Sequence, residues 1–480
     1  MHLIERIPIP VKEDTSSLER IVTLDFLRGV AILFMTFAHC FYHSYDYSWA
    51  IENPELLLAY PKILVGIGAL IAYLGSWNTF FLLISSIVNT YSMTKRIKNG
   101  KEAKEVFRKR LLSGMILLFY SYFIDAFGYY GYLGYAIRTG DWSNTYFIWA
   151  QLFQISTIQI ISLSIIITTI INYYLLRNGK QDNDRKNLFI YGFLALAILV
   201  STQFVHDCVD NMNWEKPTVY PGIVTPVIEP NWPNPYIQAN NASIRTFFLV
   251  IVAGHLEPIF PCLATGFIGA MIGIILSNDH PPKKLPLFAS LGGLIFIIIG
   301  IILIFLGLPY SLFDQRPEIS TFIIQLGGQI MVVMLFLRIV EYRGKSEKFA
   351  NNLIVKHFRL WAIASLSIFW LEIVDLFPKW ILNIIFAKKI GKNLFEHSLG
   401  YGYFTIALGV GAFSFLFYEL IVFLWSRVNF KGSFEWFLIN LQAIGSKTKS
   451  KRLNVKALLN QSKYIVFVDI TKEQKKSEGV

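Results

Sequence analysis

The sequence predicts an all-α, polytopic integral membrane protein of about ten transmembrane helices, accompanied by re-entrant or interfacial helices. Three observations carry this. The 480 residues are 54% hydrophobic and only 16% charged, with a mean hydropathy of +0.48, far too apolar for a soluble chain of this size. Apolar runs of about 20 residues recur along most of the length, which is what a hydrocarbon core of roughly 30 Å requires. These runs lack the short alternating period of an outer-membrane barrel, so backbone groups in lipid must be satisfied inside helices.

Charge fixes the expected topology. The net charge of +12 comes from Lys and Arg gathered in short loops between apolar runs, where they act as orientation signals, and nucleic acid is excluded as a partner. Residues 1–20, with Arg6, Lys12 and Arg20, read as a cytosolic lead-in without the apolar region and cleavage site of a removable signal peptide. Residues 21–427 form the membrane domain, and 428–480 form a basic cytosolic tail. Cys40, Cys208 and Cys262 make neither a disulfide framework nor a metal-type Cys-x-x-Cys pair.

Span one runs from Ile21 to Tyr42, and the following loop has Asp46, Glu52 and Glu55 but no Lys or Arg before Lys62, which suits the outer side. Leu56 to Met93 is long enough for two short spans, but the basic loop Thr94 to Arg110 behind it must be cytosolic. One net crossing is therefore expected, with a re-entrant or surface helix preceding a span near Trp77 to Met93. Span three covers Leu111 to Tyr129, an aromatic, Gly-rich outer segment follows to Thr145, and span four lies within Phe147 to Leu176. Arg177, Lys180, Arg185 and Lys186 return the chain inside, and span five covers Leu188 to Val205. Residues 206–243 hold six prolines with Trp214 and Trp232, and a loop of that length and composition reads as an ordered outer lid or as a solvated connector with interfacial aromatics.

Ile244 to Ser277 is broken at Gly254-His-Leu-Glu-Pro-Ile-Phe-Pro261, because Pro258 and Pro261 cannot lie within one continuous helix. Backbone groups freed at membrane depth must line a protein-walled or wet cavity. Lys283 and Lys284 mark the inside, span seven runs from Leu285 to Leu308, and span eight from Ser320 to Val340. A basic loop with Arg343, Lys345, Lys348 and Lys356 leads to span nine, Phe358 to Phe377, which carries Glu372 and Asp375 near its outer end. Trp380 to Lys392 is a short amphipathic piece whose Lys388, Lys389 and Lys392 run against the charge rule on that side. Span ten covers Tyr401 to Trp425, which places both termini in the cytosol.

Span one also contains Asp25, Arg28 and His39. Ionisable groups at membrane depth mark a functional site by default, the competing reading being an interfacial anchor. Arg28 and His39 are eleven residues apart, about three turns or roughly 16 Å along a helix, so they share one face. Asp25 precedes Arg28 by three, a spacing that allows an ion pair, and His43 follows His39 by four. A wider outer polar set comprises His206, Asp207, Asp210, His255 and Glu257. On the cytosolic side, Arg108 and Arg110 stand where basic side chains can hold the phosphates of a cofactor, or simply anchor a helix end.

Some chemistries are disfavoured. His39 and His43 with a third ligand from the long loop would make a metal site, but no motif of the His-Glu-x-x-His kind supports it, so no metal is assigned. Neither a Gly-x-Ser-x-Gly elbow nor a phosphate-binding Gly-rich loop with its Lys occurs, which argues against a serine hydrolase and a P-loop pump.

Leu24-Asp25-Phe26-Leu27-Arg28-Gly29, continuing through an apolar run to His39, resembles the first helix of the transmembrane acyltransferase superfamily. In its acyltransferase family 3 the hallmark is an Arg, ten residues, then a His, as at Arg28 and His39. The remainder looks closer to the heparan-alpha-glucosaminide N-acetyltransferase-like and YeiB-like branches. Pro258 to Ala270 resembles their Pro-rich approach to a Gly-containing helix, Ala364 to Phe369 their "Gly-x-x-Ser-Leu-Thr-x-Tyr" helix, and Gly432-Ser-Phe-Glu-Trp436 their C-terminal Gly-Pro-Leu-Glu-Trp. Ser433 and Phe369 depart from that pattern, where Pro and Tyr are usual.

The resemblance implies transfer of an acyl group, commonly acetyl, from cytosolic acetyl-CoA or another acyl-CoA to a sugar or lipid-linked glycan on the far side of the membrane. It would make His39 the catalytic base or the acyl carrier. Arg108 and Arg110 would receive the CoA phosphates, Asp25 would hold Arg28 partway along the path, and His255 with Glu257 would orient the acceptor. A transporter or flippase using Asp25, Arg28 and His39 as a polar relay is the alternative, and a silent acyl-CoA sensor a third. Membrane lipids are partners in every case, and a homodimer stays open.

Overall fold

The computed structural model describes residues 20–46, 53–75, 78–145, 148, 151–152, 155–177, 183–212, 243–254, 256–310, 316–394, 399–443, 453–460 and 464–467. His255 and residues 213–242, which include most of the expected outer lid, lie outside them.

Helix α1, Val22–Tyr42, is the centre of the bundle. Its N-cap is Ile21, which offers no side-chain cap. The buried Glu341 takes over that role. One carboxylate oxygen accepts the Thr23 backbone N–H at 2.9 Å and the other accepts the Thr23 hydroxyl at 2.6 Å, which suits the positive end of a helix dipole.

The helices that follow are α2 (Lys62–Gly75), α3 (Asn78–Lys98), α4 (Ala103–Phe127), α5 (Tyr132–Thr139), α6 (Thr157–Leu176) and α7 (Asp184–Asp210). Next come α8 (Ile244–Ala253), α9 (Ile259–Leu276), α10 (Leu285–Phe305), α11 (Ile319–Ile339), α12 (Ser346–Asn351), α13 (Leu353–Ile363) and α14 (Ser365–Trp370). A 3₁₀ turn, Leu371–Asp375, then leads into α15 (Leu376–Ile390), α16 (Phe404–Arg427), α17 (Phe434–Ala443) and α18 (Val455–Leu459).

Among the described residues, eight helices are long and apolar enough to cross a membrane, or nine if the bent pair α13 with α14–α15 counts as one. The chain is therefore all-helical among the described residues and built as a multi-pass membrane protein. Helix α3 fails that apolarity test because Thr79, Ser86, Asn89, Thr90 and Ser92 lie along it, all buried. Their partners are within the protein: Ser86 meets Ser164 at 3.1 Å, and Thr79 meets Gln329 at 2.9 Å. Helix α10 is the opposite case, mostly exposed along a wholly apolar sequence and so suited to lipid contact.

Close approach of helices depends on small residues. A Cβ added at Gly29 would fall 1.8 Å from the Phe358 carbonyl oxygen, so only glycine lets α1 lie this near α13. At Gly273 it would fall 2.6 Å from the Ile87 carbonyl oxygen, which fixes α9 against α3.

Two expectations need correction. His206, Asp207 and Asp210 are not in a loop but in the last turns of α7, which extends to Asp210. Span nine is not straight: the chain bends by 68° where α13 gives way to α14. The basic tail packs back on the protein, with its apolar residues Phe434, Leu453, Val455, Ile465 and Phe467 buried. Arg359, itself buried, donates to the Leu458 carbonyl at 3.0 Å and to the Tyr464 hydroxyl at 3.2 Å. The break at Gly254 to Pro261 is present, with α8 ending at Ala253 and α9 beginning at Ile259.

Candidate functional site

Helix α1 carries ionisable side chains at both ends, and the two ends differ in character. At its N-terminal end Asp25 pairs with Arg28 at 3.6 Å, the expected i,i+3 contact, and with Arg20 at 3.3 Å. These three residues line a cavity of about 1340 Å³, whose other cations are Arg96 from α3 and Lys431 from the turn after α16. Helices α17 and α18 close its far wall through Trp436, Asn440 and Leu458. Four basic side chains and one carboxylate thus surround this space, which gives it a net positive lining.

Arg108 is exposed and is not part of this lining. Arg110 touches it indirectly, by donating to the Ser92 hydroxyl at 2.6 Å. The cavity cations are therefore Arg20, Arg28, Arg96 and Lys431, supplied by three separate parts of the chain.

At the other end of α1, His39 and His43 face the 3₁₀ turn. His39 Nδ1 contacts the Glu372 carboxylate, and His43 Nδ1 lies 2.9 Å from Asp375. Asp375 also holds Lys379 at 2.8 Å, and His43 Nε2 accepts from the Tyr130 hydroxyl at 2.9 Å. The His43 ring stacks on Tyr129 with centroids 3.9 Å apart. Each carboxylate accepts the Nδ1–H of its histidine, which leaves the lone pair on Nε2. For His43 that lone pair is taken by Tyr130, and the side chain is only 2% exposed. The His39 side chain is 23% exposed, so its imidazole is the one a substrate can reach.

The local sequence explains this geometry. His39 and His43 are one turn apart on α1, while Glu372 and Asp375 are one turn apart on the 3₁₀ element. Two parallel rows thus pair residue with residue. The Leu371 carbonyl accepts the Tyr418 hydroxyl of α16 at 2.7 Å, which fixes the turn in place.

No protein-family model and no curated protein matches this chain.

The remaining candidates sit elsewhere. Glu257 is buried, accepts the Thr157 hydroxyl at 2.7 Å and donates its backbone N–H to the Ile155 carbonyl at 2.9 Å, which ties the broken segment to the start of α6. His206 Nε2 donates to the Phe260 carbonyl at 2.9 Å, Asp207 accepts from Gln203 at 2.9 Å, and Asp210 takes Arg316 through two contacts of 2.8 and 2.6 Å. His206 and Asp210 hold α7 against the broken segment and the residues before α11, Asp207 bonds within α7, and none of the three is part of the His39 group.

Sequence reasoning passed over Glu372, Asp375 and Lys379 as site residues, although their i,i+3 and i,i+4 spacing in an apolar stretch was a usable signal. Tyr129, Tyr130, Arg96 and Lys431 gave no such signal, because tyrosine and basic residues at span ends are ordinary interfacial composition.

Two groups of the sequence motifs are brought together. Glu435 accepts the Leu366 backbone N–H at 2.8 Å and the Ser367 hydroxyl at 2.6 Å. Burial pushes the Glu435 carboxyl above its usual range, partly offset by these hydrogen bonds.

Proposed function

We propose that this protein is a membrane acyltransferase that takes an acyl group, commonly acetyl, from cytosolic acyl-CoA and passes it to a sugar or lipid-linked acceptor on the opposite side. The observation that carries this is the single helix α1. Its one end lines a basic cavity and its other end presents a carboxylate-held imidazole, with roughly 16 Å of helix between Arg28 and His39. We read α3 as a further crossing and the bent α13–α15 as one, which gives about ten spans with both termini in the cytosol.

In this reading Arg20, Arg28, Arg96 and Lys431 bind the phosphates of acyl-CoA by charge-assisted hydrogen bonds. The acceptor oxygen or nitrogen attacks the thioester carbonyl while His39 Nε2 takes its proton. The C–S bond breaks, and the CoA thiolate recovers that proton from the imidazolium. Glu372 stabilises the imidazolium and fixes the ring tautomer, as a carboxylate does for a catalytic histidine elsewhere.

The test is transfer from labelled acetyl-CoA by membranes containing the protein. Label should reach membrane glycolipid or added sugar with the wild type and fall to background with His39→Ala. Transfer by His39→Ala at the wild-type rate would remove His39 from the chemistry. Movement of an unmodified substrate without any label transfer would favour the transporter.

A further inference from the structure

We propose that His39, His43 and Glu372 form a site for one divalent transition cation of the zinc class, and that a cation seated there silences His39. The site itself does not depend on the acyl-transfer reading; its silencing effect does.

The donor set is two imidazoles and a carboxylate, and its ligand atoms all lie within 4.8 Å of one another. Atoms bound to a tetrahedral ion at about 2.1 Å stand roughly 3.4 Å apart, so modest side-chain rotations close this set around one ion. His39 and His43 project from one face of α1 at i,i+4, and Glu372 reaches them from the 3₁₀ turn. His39 is the most exposed of the three, so an ion entering from outside meets it first.

The surroundings are those of a metal ligand. Asp375 takes the Nδ1–H of His43 at 2.9 Å and so directs Nε2 inward, the carboxylate–histidine support that orients metal-bound imidazoles. Tyr130, now at 2.9 Å from that nitrogen, must turn aside to admit an ion. Charge favours the cation as well. Lys379 is committed to Asp375 at 2.8 Å, Arg138 donates to the Tyr129 carbonyl at 3.0 Å, and Glu372 has no Lys or Arg paired with it among the described residues. A filled site takes the lone pair that His39 needs to accept a proton.

The experiment is a Co²⁺ titration of the purified full-length protein in detergent after chelator treatment, read by visible d–d absorption. One equivalent should give the intense bands of a four-coordinate ion, displaced by Zn²⁺. Glu372→Gln and His43→Ala should lose the bands while eluting from size exclusion as the wild type does. Asp375→Asn should weaken binding about 10- to 100-fold. Should a variant aggregate, zinc-edge X-ray absorption of the wild type should read two imidazoles and no sulfur. Absorption no greater than that of free Co²⁺, wild-type bands in Glu372→Gln, or a shell without imidazole would each overturn the site. Cobalt bands in a protein with no acyl transfer would uphold the site and remove only the silencing.

Discussion

At the scale of single residues, the groups that would react are distinct from the groups that hold them. Glu372→Gln keeps the size of the side chain but removes the negative charge beside the imidazolium. We expect a fall in acyl transfer of about 10²- to 10⁴-fold, the usual reach of an acid–base group, with little change in the concentration of acyl-CoA that half-saturates the protein. Arg28→Ala should do the reverse, raising that concentration with a smaller effect on the maximal rate, because Arg28 lies at the cavity and not at the histidine. Steady-state kinetics with labelled donor checks both. Lys379→Met is a stability test. Lys379 is fully buried on Asp375, so removing it leaves a carboxylate without its cation, a loss of about 3–5 kcal/mol for a buried pair. A thermal unfolding midpoint equal to the wild type would show that Asp375 had found another partner.

At the scale of elements, α1 was legible in the sequence to its last turn, since the 3.6-residue period alone puts Asp25, Arg28, His39 and His43 on related faces. What α1 meets was not legible. Pairing with Glu372 and Asp375 depends on the bend between α13 and α14, and with a straight span nine the two rows have no reason to align. The longer α7 was missed because His206, Asp207 and Asp210 look like loop residues until the Phe260 carbonyl, Gln203 and Arg316 are seen to satisfy them in turn. Gly29 gives a direct test of the α1–α13 contact. Gly29→Ala drives a Cβ onto backbone that is already at 1.8 Å, and the forced separation should cost about 1–3 kcal/mol, read as a lower unfolding midpoint. The docked tail offers a pH test. Glu435 is raised above its usual range by burial, so its neutral form is favoured in the folded protein. Its contribution to stability is full below the unfolded value and is lost as pH rises through the folded one. Unfolding midpoints should therefore decline over that interval, and Glu435→Gln should flatten the profile.

At the scale of the whole molecule, composition and hydropathy were enough for the class, because a chain this apolar must place its helices in lipid. The number of crossings is harder, and α3 shows why: charge order in the sequence asks for a span near Trp77 to Met93, while its buried polar residues make that helix less apolar than the eight that qualify by composition. The tail, expected from its charge to be cytosolic, also carries apolar side chains that supply a wall of the basic cavity, and that docking was not legible in its composition. The molecule has its basic cavity at one end of α1 and its accessible imidazole at the other, and we propose that an acyl group passes between them. The most direct measurement uses sealed vesicles of known orientation with labelled acetyl-CoA supplied on one side and a membrane-impermeant sugar acceptor on the other. Label on the acceptor only when the donor is on the cavity side, and none with His39→Ala, is the predicted result. Transfer that requires donor and acceptor on the same side would contradict the account.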